Sequence, residues 1–341
     1  MSANNIILIL IVIICLISCS DYYAQYENGD TFYIRNKGAD MPVVVKGNNS
    51  SNIFIIALHG GPRDTAFSFV SSDAFKKLER NYRMVYWDQR LSGNSEGNPD
   101  KNSFTLSQCT EDLDLLVDVV KNKYKYAEIF LLGHSWGGAL GNEYLLESIE
   151  RQNKIKGWIS VEAMISFKFY LSICKDFVIE YASDNGGDSY WREALLWCNN
   201  ISDYDKDVMK KLIGYVEKLL PASSQKSGFD TVTSETIFFS PFNYMWQGLN
   251  VSNILTDEGQ SFLISIDVIS RMSTIAIPTV IMRGDYFPFM TTRMAEKEYN
   301  TIGTPEINKK IVYFENASHW LMLDDPGKFY NTIVEFVEKY K

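Results

Sequence analysis

The chain has 341 residues and carries 33 Lys and Arg against 42 Asp and Glu, a net charge of −9 at neutral pH. It holds no Lys/Arg run or basic patch, which argues against a nucleic-acid partner. An apolar share of 46 % excludes a disordered chain and is enough to build a core.

The elements begin with an apolar run, Ile6 to Ile17, interrupted chemically only by Cys15. It is short for a membrane-spanning helix and has the length of a signal-peptide core. It ends Leu16-Ile17-Ser18-Cys19, which resembles a bacterial lipobox. The resemblance implies that residues 1–18 are a signal peptide, cleaved before Cys19, whose sulfur then takes a diacylglyceryl group. The mature chain is expected on a membrane of the bacterial cell envelope through that lipid anchor, outside the cytoplasm. The segment Met1 to Asn5 has no Lys or Arg, a departure from the pattern, and an uncleaved N-terminal anchor is the alternative. Beyond Cys15 and Cys19, three Cys remain (Cys109, Cys174 and Cys198), an odd number without metal spacing. They read as buried thiols, with a Cys174–Cys198 pair as the alternative.

Short β-rich runs follow at Thr31–Ile34 and Pro42–Val45, then Ile53 to Leu58, apolar throughout as in a strand covered on both faces. A helix near Asp73 to Arg80 and a strand at Met84–Trp87 come next. Leu113, Leu116, Val117 and Val120 recur at helical spacing within Leu106 to Lys121. Ile129–Leu132 is a buried strand, Ala139 to Glu150 a helix, and Ile155 to Val161 a strand. Alternating strand and helix imply a parallel sheet. From about Ala163 to Arg271 the alternation stops and Trp, Tyr and Phe accumulate, as in a cap. It resumes with strands at Thr279–Met282 and Ile311–Phe314 and a helix from Pro326 to Lys339.

The sharpest chemical signal is Gly133-His134-Ser135-Trp136-Gly137-Gly138, a G-x-S-x-G run between a strand and a helix. That context is the nucleophile elbow, in which Ser135 stands exposed on a tight turn and the Trp136 N–H faces a developing oxyanion. His59-Gly60-Gly61-Pro62 lets backbone approach a ligand, and Gly61 N–H is the second candidate oxyanion donor. Of the three histidines, His59 reads as a structural anchor and His134 points away from Ser135 on the turn. His319, after the last strand, is left as the base.

Three motifs, His59-Gly60-Gly61-Pro62, Trp87-Asp88-Gln89-Arg90 with Ser92-Gly93-Asn94-Ser95, and Gly133 to Gly138, together resemble the proline iminopeptidase branch of the α/β hydrolases. The resemblance implies an α/β fold with a mostly parallel sheet flanked by helices and an inserted helical cap. The expected parts are 19–162, 163–271 for the cap, and 272–341. It implies acyl transfer on a peptide N-terminus or a small ester or amide, with no metal or organic cofactor. Asp88 and Arg90 are expected to brace the loop beside the oxyanion hole. Arg63 and Leu91 stand where the family has Gly.

The triad acid departs further. In the family it lies three residues beyond the Gly that ends the strand after Ile-Pro-Thr; here that position is Phe287, after Ile277-Pro278-Thr279 and Gly284. Asp285, two residues earlier, is the expected substitute because positions two apart in extended chain point the same way. Glu162, which ends the preceding strand, is the competitor, and Asp324 and Asp325 read as helix caps. A chain without the acid would be a lipid-anchored binding protein that has lost turnover. Glu180, Asp184, Asp188 and Glu193 are either holders of a substrate ammonium or a solvated face. The lipobox yields a direct test: Cys19→Ala should leave a heavier, unprocessed precursor on a gel, and processing like wild type would sink the lipoprotein reading.

Overall fold

The computed structural model describes residues 29–61, 64–219, 259–285 and 288–341, so the expected signal peptide, Cys19, Arg63 and Phe287 lie outside the described residues. Among the described residues nine strands make one sheet: β1 (Asp30–Asn36), β2 (Ala39–Gly47), β3 (Ile53–Leu58), β4 (Arg83–Trp87), β5 (Glu96–Gly97), β6 (Glu128–His134), β7 (Ile155–Val161), β8 (Thr279–Gly284) and β9 (Lys309–Phe314). The order is β1-β2-β4-β3-β6-β7-β8-β9, with the short β5 paired to β2. β1, β2 and β5 are antiparallel additions at one edge, and the strands from β4 across to β9 run parallel. This is the α/β-hydrolase fold, as the motifs imply.

The central strands are apolar on both faces because helices cover both. In β3, Phe54, Ile56 and Leu58 join the core on one side, and Ile53, Ile55 and Ala57 the core on the other. The same period of two divides β4 and β6. The first core is closed by the helices Leu106–Lys123 and Trp136–Glu147, the second by Asp73–Leu78 and Pro326–Tyr340. The last helix starts at a Pro, its Asp325 N-cap accepts from Lys328 N at 2.9 Å, and Phe329, Ile333, Phe336 and Val337 form its buried stripe. The helix expected over 139–150 begins three residues earlier, at Trp136, and breaks at Ser148. Ser148 is extended (φ −163°, ψ 159°) and its side chain caps a separate short helix, Ile149–Asn153.

Residues 167–219 are helical: Phe167–Asp184, Ser189–Asn199 and Lys206–Leu219 share their own apolar cluster around Leu171, Val178, Leu212 and Val216. Cys174 and Cys198 lie in this cluster and Cys109 in the first core, all three free and buried. Among the described residues no helix is long and apolar enough to cross a membrane.

Packing beneath the β6 turn is tight. Trp158 of β7 is fully buried, and a Cβ on Gly141 would stand 2.5 Å from its Cζ3. Gly141→Val should therefore destabilise the protein by about 1–3 kcal/mol, the usual cost of overpacking. Gly214, where an added Cβ would meet nothing within 4 Å, is the control. Gly214→Ala should gain up to about 1 kcal/mol from helix propensity. Urea unfolding of the two variants checks both signs.

Candidate active site

β6 passes into the helix Trp136–Glu147 through one residue, Ser135, at φ 56° and ψ −116°. A non-glycine residue in this region is strained, and such strain is concentrated at functional sites. The turn is possible because its neighbours are small. A Cβ on Gly133 would stand 2.5 Å from Gly137 O, and one on Gly137 would meet the backbone of Leu58 and His59. Ser135 N donates to Val161 O at 3.0 Å and Ser135 O accepts from Met164 N at 3.1 Å, pinning the turn to the end of β7. The Trp136 N–H is the first of the helix and has no partner within it.

The loop after β3 lies against this turn: a Cβ on Gly60 would be 3.3 Å from Ser135 Cβ. Gly61 is at φ 91°, a conformation that favours glycine. His59 is fully buried. Its Nδ1–H donates to Gly60 O at 2.8 Å, and its Nε2 accepts from Gln89 N at 3.2 Å. Gln89 then ties both expected oxyanion segments together, since its Nε2 donates to His59 O at 3.2 Å and its Oε1 accepts from Trp136 Nε1 at 2.7 Å. Asp88 bonds the segment just after this loop, whereas Arg90 bonds Asp112 and Ser103. Asp88 accepts from Ala66 N, Thr65 Oγ1, Asn94 N and Asn94 Nδ2 at 2.7–3.1 Å. Arg90 makes a fully buried two-point pair with Asp112, at 2.5 and 2.7 Å. Leu91, in the family's Gly position, takes φ 55° while staying buried.

His319 follows β9 on a loop braced by Asp324, which accepts from Ser318 N and Oγ at 2.7 and 2.6 Å. Asp325 caps the last helix, as expected, and Asp324 does not. Gly284 admits the loop, because a Cβ there would be 2.7 Å from Ser318 O. His134 does point away from Ser135. Its Nε2–H donates to His319 O at 2.8 Å, and the two imidazole centroids are 4.6 Å apart. Ser135 and His319 line one cavity of about 320 Å³, with no hydrogen bond between them. Sites of this kind often tighten only around a substrate.

Which carboxylate faces His319 differs from the expectation. Asp285 continues the β8–β9 ladder, its N–H donating to Phe314 O at 3.1 Å, and its side chain makes no ion pair with His319. Glu162 takes that place: its Oε2 is 3.6 Å from His319 Nδ1. The pairing of Val161 with Met282 between parallel β7 and β8 brings Glu162 to Gly284, whose N–H donates to Glu162 Oε1 at 2.5 Å. Glu162 is buried and sits at φ 49°, a second strained position at the end of a parallel strand. Behind it stands a buried polar group that motif reading missed. Arg283 Nη2 donates to Glu298 Oε2 at 2.9 Å and to Ala163 O at 2.7 Å, and Ser160 Oγ donates to Glu298 Oε1 at 2.5 Å. Nothing in the local sequence around Glu298, on the helix Pro288–Thr301, marks it.

The rest of the cavity wall is mostly apolar, with Met164, Phe167, Tyr170, Ile213 and Met294, and it includes Arg283. Glu180, Asp184, Asp188 and Glu193 are exposed and do not line it. Asp188 caps its helix on Tyr190 N, and Glu193 lies 3.7 Å from Lys211. They are the solvated face. Among the described residues no cluster of His, Cys, Asp and Glu is suited to a metal ion.

Residues 53–183 match the family model described as serine aminopeptidase, S33. A proline iminopeptidase of Thermoplasma volcanium is 24 % identical over 327 residues, covering 94 % of this chain and 97 % of its own. A probable aminopeptidase of Bacillus subtilis is 21 % identical over 300 residues, 85 % of this chain and 91 % of its own. Among solved structures, a proline iminopeptidase-related protein from Thermus thermophilus superposes with a TM-score of 0.61 at 19 % identity, over 92 % of this chain and 98 % of that one. An esterase from Exiguobacterium antarcticum does so with 0.54 at 17 %, over 91 % and 100 %. Together these support a hydrolase of the α/β fold, of peptidase or esterase type.

Burial sets the charge of the groups around the turn. It lowers His59 to about 4, against one favourable bond to Gly60 O, and holds His134 well below the usual histidine range, with His319 adding to the shift. Burial also raises Asp88 to about 6, against four hydrogen bonds. A histidine depressed in the folded state takes up its proton in the unfolded chain first, so its stability contribution is present above pH 6.5 and is lost as pH falls toward 4. Asp88 works in the opposite direction, so the effect of His59 must be read as a difference between proteins. The gap in unfolding free energy between wild type and His59→Asn should shrink by roughly 2–3 kcal/mol from pH 7 to pH 4.5. Urea titrations at the two pH values measure it, and a constant gap would show that His59 is not held neutral.

Proposed function

We propose that this protein is a lipid-anchored serine hydrolase that works by acyl transfer. Ser135 is the nucleophile, His319 the base, and Glu162, in place of the expected Asp285, the acid that orients His319. The N–H groups of Gly61 and Trp136 hold the oxyanion. The observation that carries this reading is the Glu162 carboxylate at 3.6 Å from His319 Nδ1, in the cavity onto which the strained Ser135 opens.

The reaction runs in two acyl transfers. His319 Nε2 takes the Ser135 proton as Oγ attacks the substrate carbonyl, and the negative charge on the carbonyl oxygen falls to the two backbone donors. Glu162 fixes the tautomer with Nδ1 protonated and stabilises the imidazolium as it forms. His319 then gives its proton to the leaving group. Water, deprotonated by the same His319, releases the acyl group and restores Ser135. No metal or organic cofactor is called for. The apolar wall of Met164, Phe167, Ile213 and Met294 suits an uncharged acyl group of an ester or amide, with the helices Phe167–Asp184 and Lys206–Leu219 supplying part of it. The matched aminopeptidases keep a peptide N-terminus as a substrate of the same chemistry. The lipid on Cys19 places the site at the envelope membrane, outside the cytoplasm, with 19–162 and 272–341 as the two halves of the hydrolase core.

A fluorophosphonate probe tests the assignment. Wild type should be labelled near neutral pH and Ser135→Ala should not. Glu162→Gln should slow labelling by about three to four orders of magnitude, the cost of an amide at this position in a serine protease. Asp285→Asn should label at close to the wild-type rate. A crippled Asp285→Asn beside an unaffected Glu162→Gln would return the role to Asp285. An unlabelled wild type would leave a binding protein that has lost turnover.

A further inference from the structure

Glu162 has two neighbours competing for it at nearly equal range, the Arg283 cation and the His319 ring. Arg283 Nη1 is 3.8 Å from its Oε2 and His319 Nδ1 is 3.6 Å from the same oxygen. Both Arg283 and Glu162 are buried, so their attraction is little screened, and an unopposed guanidinium would draw the carboxylate to itself. At 3.8 Å it does not form a hydrogen bond. The reason lies on its far side. Glu298, fully buried, holds Arg283 Nη2 at 2.9 Å, and Ala163 O shares the same nitrogen at 2.7 Å. Ser160 Oγ fixes the other Glu298 oxygen at 2.5 Å.

We propose that Glu298, acting through Arg283, is a positioning residue for the site: it occupies and neutralises the guanidinium, so that the Glu162 carboxylate stays turned to His319. The proposal rests on the reading of Ser135, His319 and Glu162 given above. Two anions around one cation leave a net negative charge beside the imidazole, the sign needed to stabilise an imidazolium. The other titratable groups that face this chain are His134, which burial keeps neutral, and Tyr313, which Arg283 influences from the β9 side. Burial raises the Glu298 carboxyl while Arg283 opposes that shift, so its charge depends on the pair. The arrangement also gives a reason for a carboxylate at the end of β7: at that point the family's aspartate strand supplies an arginine.

The test is the rate of fluorophosphonate labelling against pH, whose acid limb reports His319 in the free protein. In Glu298→Gln the amide keeps the shape and an oxygen for Arg283 but removes the charge. Arg283 then competes fully for Glu162, and the acid limb should move down by roughly half to one pH unit, with about tenfold slower labelling at neutral pH. The double variant Glu298→Gln/Arg283→Met removes both charges together, a change that buried pairs tolerate. Its acid limb should move up, because Glu162 then serves His319 alone. A purely structural role would lower the thermal midpoint, measured in parallel, and leave both limbs in place. An unmoved limb in the single variant, or shifts of the same sign in both, overturns the proposal. Glu162→Gln run beside them separates the two readings. If it labels at the wild-type rate, the triad assignment fails. If it is crippled while the limbs stay fixed, the role of Glu298 alone is lost.

Discussion

The molecule is organised around the single residue at which β6 leaves the sheet. To turn from strand to helix in one step, Ser135 adopts φ 56°, and every near neighbour of that turn is constrained as a result. Gly133 and Gly137 must lack a Cβ because Gly137 O and the end of β3 fill the space. Trp158 fills the volume below, which fixes Gly141 one helical turn further on. The strain is held by backbone bonds to Val161 and Met164 at the end of β7, so a residue in a costly conformation rests on two rigid elements.

Once that turn is set, the surrounding loops are arranged by buried polar contacts. Gln89 joins the His59 loop to the Trp136 indole; on one side of it Asp88 accepts from backbone and side-chain donors, and on the other Arg90 donates to the Asp112 carboxylate. Burial of these groups is tolerated because each is hydrogen-bonded, and their removal would leave orphaned partners in a low-dielectric interior. The second motif is therefore a bracket for the two candidate oxyanion donors, and it is absent from the cavity wall.

The carboxylate at His319 comes from the end of a neighbouring parallel strand. The C-terminal ends of β7 and β8 are adjacent, and a loop above them is within reach of either. Glu162, at the end of β7, lies 3.6 Å from His319 Nδ1, and its other oxygen accepts from the Gly284 N–H. A buried carboxylate needs partners to stay charged, and the Arg283–Glu298 pair stands behind it.

The order of strands and helices was legible in the chain, because apolar runs such as Ile53–Leu58 and spacings such as Leu113, Leu116, Val117 and Val120 are local consequences of period two and period 3.6. So was the Ser135 turn, from its glycine-rich strand-to-helix run, and the scarcity of histidine singled out His319, which lines the same cavity as Ser135. Helix ends were less legible, as at Ser148, where a side-chain cap decided against a continuous apolar pattern. The partner of His319 was not legible as a choice. Asp285 and Glu162 are both plausible in the linear chain, and they are separated by whether a backbone bond to Phe314 or the register of β7 on β8 governs the carboxylate's direction. The exposure of the cap acids and the burial of Glu298 behind Arg283 are of the same kind. Each depends on which surfaces of distant segments meet, and pairing between segments far apart in the chain leaves no periodic trace in the sequence around either partner.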